Sequence, residues 1–174
     1  YGVGYDTAAA PNALNLIKTT VPAGTFSVYT RAIFTIDDVT QVRSIYYGAD
    51  FDDGYIAYVN GVEVARSSMP AGDPAWNTNA TLHESSNGAS PNYGTLVDIS
   101  AAAIPLLQNG PNVLAVGVWN SGAPTSTDLV VVPRLSIGTD WTAKSYVDTG
   151  WSDGTYGAGY DTGAAPNALQ LIKT

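Results

Sequence analysis

Tyr55-Ile56-Ala57-Tyr58-Val59-Asn60-Gly61-Val62-Glu63-Val64-Ala65-Arg66 is the stretch that decides the fold class. Two runs rich in aromatic and β-branched residues flank Asn60-Gly61. Asn-Gly supplies the two positive φ angles of a type I′ turn, so the stretch reads as a β-hairpin. Upstream, Phe26 to Ile36 alternates strictly, with Phe26, Val28, Thr30, Ala32, Phe34 and Ile36 on one side. A period of two over that length is a long, half-buried strand. Val42–Tyr47, Thr95–Ile99, Val113–Trp119 and Leu129–Ile137 add four more strands.

Only Ser100–Gln108 has a helical character, with Ser100 placed to cap it and Asn109-Gly110-Pro111 to stop it. Pro105 lies inside the run, so about one turn is expected. Ser67–Asn92, rich in Pro, Gly, Asn and Ser, reads as a surface loop. Asp37-Asp38 reads as a turn between strands. Many short strands with one helical turn predict an all-β, two-sheet sandwich.

The 174 residues are 45% hydrophobic, enough for one packed core. Cysteine is absent, which excludes disulfides, thiolate metal sites and a cysteine nucleophile. A net charge of −8 disfavours nucleic acid and anionic membranes as partners. No apolar stretch approaches the roughly 20 residues of a membrane-spanning helix, so no membrane insertion is expected. Scarce lysine and abundant Tyr, Thr, Ser, Asn and Gly suit an extracellular protein of a bacterial or archaeal surface.

Tyr1–Thr19 returns almost letter for letter as Tyr156–Thr174, at an offset of 155 residues. The two copies differ only at Val3/Ala158, Ala8/Gly163 and Asn15/Gln170. An offset of that size is a domain rather than a solenoid unit. We therefore expect a tandem array of whole domains. Equivalent segments occupy one slot per domain, so the two copies are expected in two different units. The chain begins at Tyr1 without an initiator methionine, and on this reading its ends are cut points within the array.

The run Asp52 to Arg66 followed by Ser67-Ser68-Met69-Pro70 resembles a DDG-x-x-x-Y-x-NG-x-E-V-x-R-x-x-M-P signature. That signature belongs to a bacterial secreted module among the galactose-binding-domain-like jelly rolls. Asn109–Asn120 resembles its G-x-N-x-L-A-V strand, and Ser126-Thr127-Asp128-Leu129 its S-x-D-L entry to the last strand. Tyr146–Tyr160 is similar to the module's opening, D-x-x-W-x-x-G-x-x-x-L-G-Y. The resemblance implies a jelly-roll β-sandwich, with Tyr1–Ile137 as the body of one module lacking its opening strand. Gly138–Thr174 would then open the next module. A missing strand leaves an unpaired edge and an uncovered apolar face, which a neighbouring repeat would complete by covalent continuity or strand donation.

No G-x-S-x-G, H-E-x-x-H or phosphate-loop motif is present, and the expectation is that the domain is not an enzyme. Asp50, Asp52 and Asp53 form the densest acid cluster. Carboxylates clustered on a loop can hold a structural calcium ion; the alternative is a tight Asp52-Asp53-Gly54 turn with side chains bonding nearby amides. Glycan binding would call on Trp76 with Asn77, Asn79 and His83; alternatively Trp76 plugs the sandwich end and His83, beside Glu84, is solvated surface. Trp119 falls on the opposite strand face from Leu114, Val116 and Val118, which makes it a candidate for contact between repeats. Tyr1, Tyr5, Leu14, Leu16, Trp141, Trp151, Tyr156, Tyr160, Leu169 and Leu171 join it, as residues of the repeated ends and the opening segment.

Two functions compete. The first is a structural repeat of an extracellular fibre or surface adhesin array, with neighbouring copies as partners. The second is a carbohydrate-binding module of a larger secreted protein, with a glycan as partner.

Overall fold

The chain divides into two compact units, Tyr1–Asp140 and Trp141–Thr174. The computed structural model describes residues 2–140. Among the described residues, nine strands make two sheets. One has the order β2 (Ile17–Thr20), β1 (Gly2–Asp6), β9 (Asp128–Thr139), β4 (Val42–Asp52), β7 (Val97–Asp98). The other has the order β3 (Ser27–Ile36), β8 (Gly110–Trp119), β5 (Gly54–Val59), β6 (Val62–Ser67). One short helix, α1 (Ser100–Ala103), runs into a 3-10 turn at Ile104–Leu106. The protein is an all-β sandwich.

The hairpin joins β5 to β6 as its turn chemistry requires. Asn60 has φ 49° and Gly61 φ 87°, the left-handed pair of a type I′ turn. The main core lies between the sheets. Ile45, Tyr47 and Phe51 of β4 and Leu129 and Val131 of β9 meet Ala57 and Val59 of β5 and Leu114, Val116 and Val118 of β8. Alternate residues point the other way, and both outer faces are partly covered. Val130 and Val132 of β9 pack under Ala13, Leu16 and Ile17. Ile56 of β5 and Trp119 of β8 pack under Ala80. Covering on both faces explains why Leu129–Val132 reads as an unbroken apolar run rather than an alternation.

Several expectations need correction. Strand β4 continues to Asp52, five residues past the expected Tyr47, because Gly48–Asp52 remains paired with β9. Asp50 and Asp52 therefore sit at a buried strand end and not on a loop, while Asp53 makes the tight bend between β4 and Gly54 of β5, its carboxylate bonding backbone amides distant in sequence. The strand expected over Thr95–Ile99 shrinks to Val97–Asp98. Ser100 does not cap the helix: it is the first helical residue, its amide bonds Asp98 Oδ1, and its Oγ accepts from Ile45 N of β4.

Tyr5 and Leu16 are buried within this unit, on β1 and beneath the outer face of β9, so they are packing residues rather than contacts between repeats. Leu14 remains exposed. Trp119 is 1% exposed and is likewise not an inter-repeat contact. It does lie on the outer face, but the protein's own loop covers it. Its Nε1 donates to Ala75 O at 2.9 Å, and its ring meets the edge of Tyr29 at 5.4 Å. Gly117 makes room for it, since a Cβ there would stand 2.4 Å from the indole. Tyr1, Trp141, Trp151, Tyr156, Tyr160, Leu169 and Leu171 lie outside the described residues.

Among the described residues, strand β3 forms one edge of its sheet, bonded on one side to β8. Its outward residues Tyr29 and Ile33 are 61% and 63% exposed. Between β3 and the neighbouring sheet lies an open, largely apolar groove of about 390 Å³. Val3, Val28, Leu114, Val116, Val131 and Pro133 line it, and Gly2 stands at its wall.

Candidate functional site

Sheet register carries the acids of β4 to one place. Asp50 stands opposite Val132 and Asp52 opposite Val130. Both valines face away from the main core, so both carboxylates point to the outer face of the sheet. The segment from Leu82 to Gly94 folds back over that face, and the acids hold it there. Asp50 Oδ1 accepts from Ser86 N at 2.8 Å; Oδ2 accepts from Asn92 N at 2.8 Å and from the Ser86 hydroxyl. Asp53 Oδ1 accepts from His83 N at 3.0 Å, and Oδ2 from Ser121 N at 2.6 Å. These two carboxylates are fully engaged as structural clamps, and neither belongs to a metal-like cluster.

Asp52 differs. It is 2% exposed, and its Oδ1 has no hydrogen-bond partner. One carboxylate oxygen each from Asp52, Glu84 and Asp128 lies within 4.8 Å of the others. Glu84 comes from the clamped loop, where Oε2 also accepts from Asn87 Nδ2 at 3.0 Å. Asp128 is the first residue of β9, where Asn120 Nδ2 donates to its backbone carbonyl at 3.0 Å. The two ion pairs of the described residues, Arg43–Asp140 and Arg66–Glu63, do not involve the cluster. Burial, with the charges of Asp53, Asp128 and Glu84 added, pushes the Asp52 carboxyl up to about 9. Asp128 is raised as well, first by burial and then by Glu84 and Asp6.

The sign of the resulting pH dependence is definite. Between the unfolded value near 4 and the folded value, the folded chain holds a proton that the unfolded chain has lost. In chelator-treated protein, stability is therefore expected to be highest near pH 4–5 and to fall as pH rises toward 9. Thermal melts across that range check this, and Asp52→Asn should flatten most of the slope.

The glycan candidates are dispersed. Trp76 is 62% exposed with its ring in a T-shaped contact with Phe26 at 5.2 Å, so it does not plug the sandwich. Asn77 is exposed. Asn79 Oδ1 accepts from Gly122 N at 2.8 Å, and its side chain is committed to the loop. His83 is exposed but anchored: its ring stacks on Phe51 at 3.9 Å, with Nδ1 3.0 Å from Phe51 O. Sequence reasoning named Asp52 but missed Glu84 and Asp128. The Ser126–Leu129 motif and the Glu84 beside His83 were visible, yet only the pairing of β4 with β9 reveals that they converge.

No protein-family model matches the chain, and no curated protein matches it. Among solved structures, the chain is similar to part of the Streptomyces avermitilis α-L-rhamnosidase complexed with L-rhamnose. The TM-score is 0.41 and the identity 18%, over 73% of this chain and 12% of that one. The chain thus spans about an eighth of that enzyme's length, and so loose a likeness carries no inference about activity. Among the described residues, no helix is long and apolar enough to cross a membrane.

Proposed function

We propose that the chain is a structural repeat of an extracellular array, in which each unit is completed along β3 by a segment of its neighbour. The observation that carries this reading is the groove beside β3, an edge strand among the described residues, with Gly2 in the groove wall. In the repeat frame Tyr156 is the counterpart of Tyr1, so the counterpart of Trp141–Thr155 directly precedes β1 in every following unit. Fifteen extended residues reach about 50 Å, more than the roughly 33 Å of a ten-residue strand such as β3. Entry at Gly2 would let that segment run beside β3. Long, flat, apolar edges are templates for strand addition, and natural proteins seldom leave them bare.

Electron microscopy of the native material, beside its denatured chain length, tests the proposal. Filaments with an axial period near 40 Å, one domain of this size, are expected. Isolated particles of a single-domain chain would overturn it.

Exposed Trp76 with Asn77 favours a second reading, a carbohydrate-binding module. On that reading, glycan-array binding disappears in Trp76→Ala while the melting temperature is unchanged.

A further inference from the structure

We infer that Asp52, Glu84 and Asp128 form a calcium site that ties the end of β4 and the start of β9 to the loop folded over them. Three carboxylate oxygens converge from three separate parts of the chain. An acidic cluster alone says little, because exposed acids gather on many surfaces. Here one member, Asp52, is 98% removed from solvent with an oxygen that no protein group satisfies. A buried carboxylate oxygen without a donor is costly unless a cation or another partner meets it. The unsatisfied oxygen belongs to the one fully buried member of the cluster.

The donor set identifies the cation class. All three ligand atoms are carboxylate oxygens, the choice of hard divalent ions; the single histidine, His83, is not among them. Coordination habit narrows it further. Calcium takes several protein carboxylates at one site, whereas magnesium keeps most of its waters and is usually held by one or two. Three converging carboxylates therefore favour calcium. Water completes the six to eight oxygens calcium prefers, since Glu84 lies on an exposed loop and lines a cleft of about 270 Å³ beside the site.

The site is also built rather than incidental. Glu84 is held on both sides: His83 N bonds Asp53, and Ser86 N bonds Asp50. Asp128 is fixed by its pairing with Asp6 of β1 and by Asn120. The acids expected from sequence to be ligands thus act one layer out. Asp50 and Asp53 shape the loop that delivers Glu84. The inference stands independently of the repeat-array reading.

Calorimetric titration of chelator-treated 174-residue protein with calcium chloride tests it, with melting curves in calcium and in chelator. One site per chain is expected, and a melting temperature higher by about 5 °C or more once calcium exceeds its dissociation constant about 100-fold. Glu84→Gln, at an exposed position, should weaken binding at least about tenfold. Asp52→Asn should abolish binding yet melt no lower than wild type in chelator, because it removes a buried acid. Equal stabilisation by magnesium would overturn the calcium assignment. Absence of binding heat and of any calcium-dependent melting shift would overturn the site, as would unchanged affinity in Glu84→Gln.

Discussion

Trp119→Ala is expected to destabilise the protein by about 3–5 kcal/mol, the range for deleting a large buried aromatic side chain. The indole is the largest side chain among those fully buried. It fills the space left by Gly117, meets Tyr29 edge-on, and contacts Ile56 and Ala80 in a small core outside the main one. Its loss also removes the Nε1 bond to Ala75 O, which ties the 68–80 loop to β8. Urea or thermal unfolding should show a midpoint about 10 °C or more lower. Limited proteolysis should cut between Ser68 and Ala80 before the rest of the chain. A cost below about 1 kcal/mol would mean that Trp119 is covered by something other than its own loop.

Asp50 and Asp52 stand two residues apart on one strand face, yet opposite responses are expected when each is changed. Asp50→Ala removes three hydrogen bonds to a carboxylate that is 3% exposed. Hydrogen bonds to charged groups contribute about 1.5–3 kcal/mol each and are not additive, so a loss of about 3–4 kcal/mol follows. Exchange of the Ser86 and Asn92 amides should accelerate with it. Asp52→Asn in chelator should leave stability unchanged or improved, because it replaces an acid crowded by Asp53, Asp128 and Glu84. Equal destabilisation by both changes would show that the two acids share one role.

The legible parts of this sequence were those governed by local rules. Asn60-Gly61 named its turn type, and Phe26–Ile36 named a strand and its inward face. The helical run Ser100–Gln108 is shorter than its letters, one α turn at Ser100–Ala103 followed by a 3-10 turn at Ile104–Leu106 that accommodates Pro105. The fold class followed from these. What local reasoning could not see was cover supplied from a distance. Trp119 looked like an interface residue because its strand face was judged without the loop that caps it. Asp50, Asp52 and Asp53 looked like a loop because polar letters normally mark one. They are buried instead because backbone amides some 30 to 70 residues away, at His83, Ser86, Asn92 and Ser121, satisfy two of the three. The third finds its company through sheet register, since the partners of Asp52 come from a loop and a strand that no local spacing connects.

Strand β3, an edge strand among the described residues, offers the most direct test of the repeat-array account. The fifteen residues Trp141–Thr155 can be fused ahead of Tyr1, recreating the order that the repeat frame assigns to a following unit. Hydrogen exchange along Ser27–Ile36 is then compared between the fused and unfused chains. The account predicts that β3 amides not engaged by β8 slow about 100-fold or more in the fused chain, with a higher melting temperature. Unchanged exchange along β3 in a folded fused chain would contradict it.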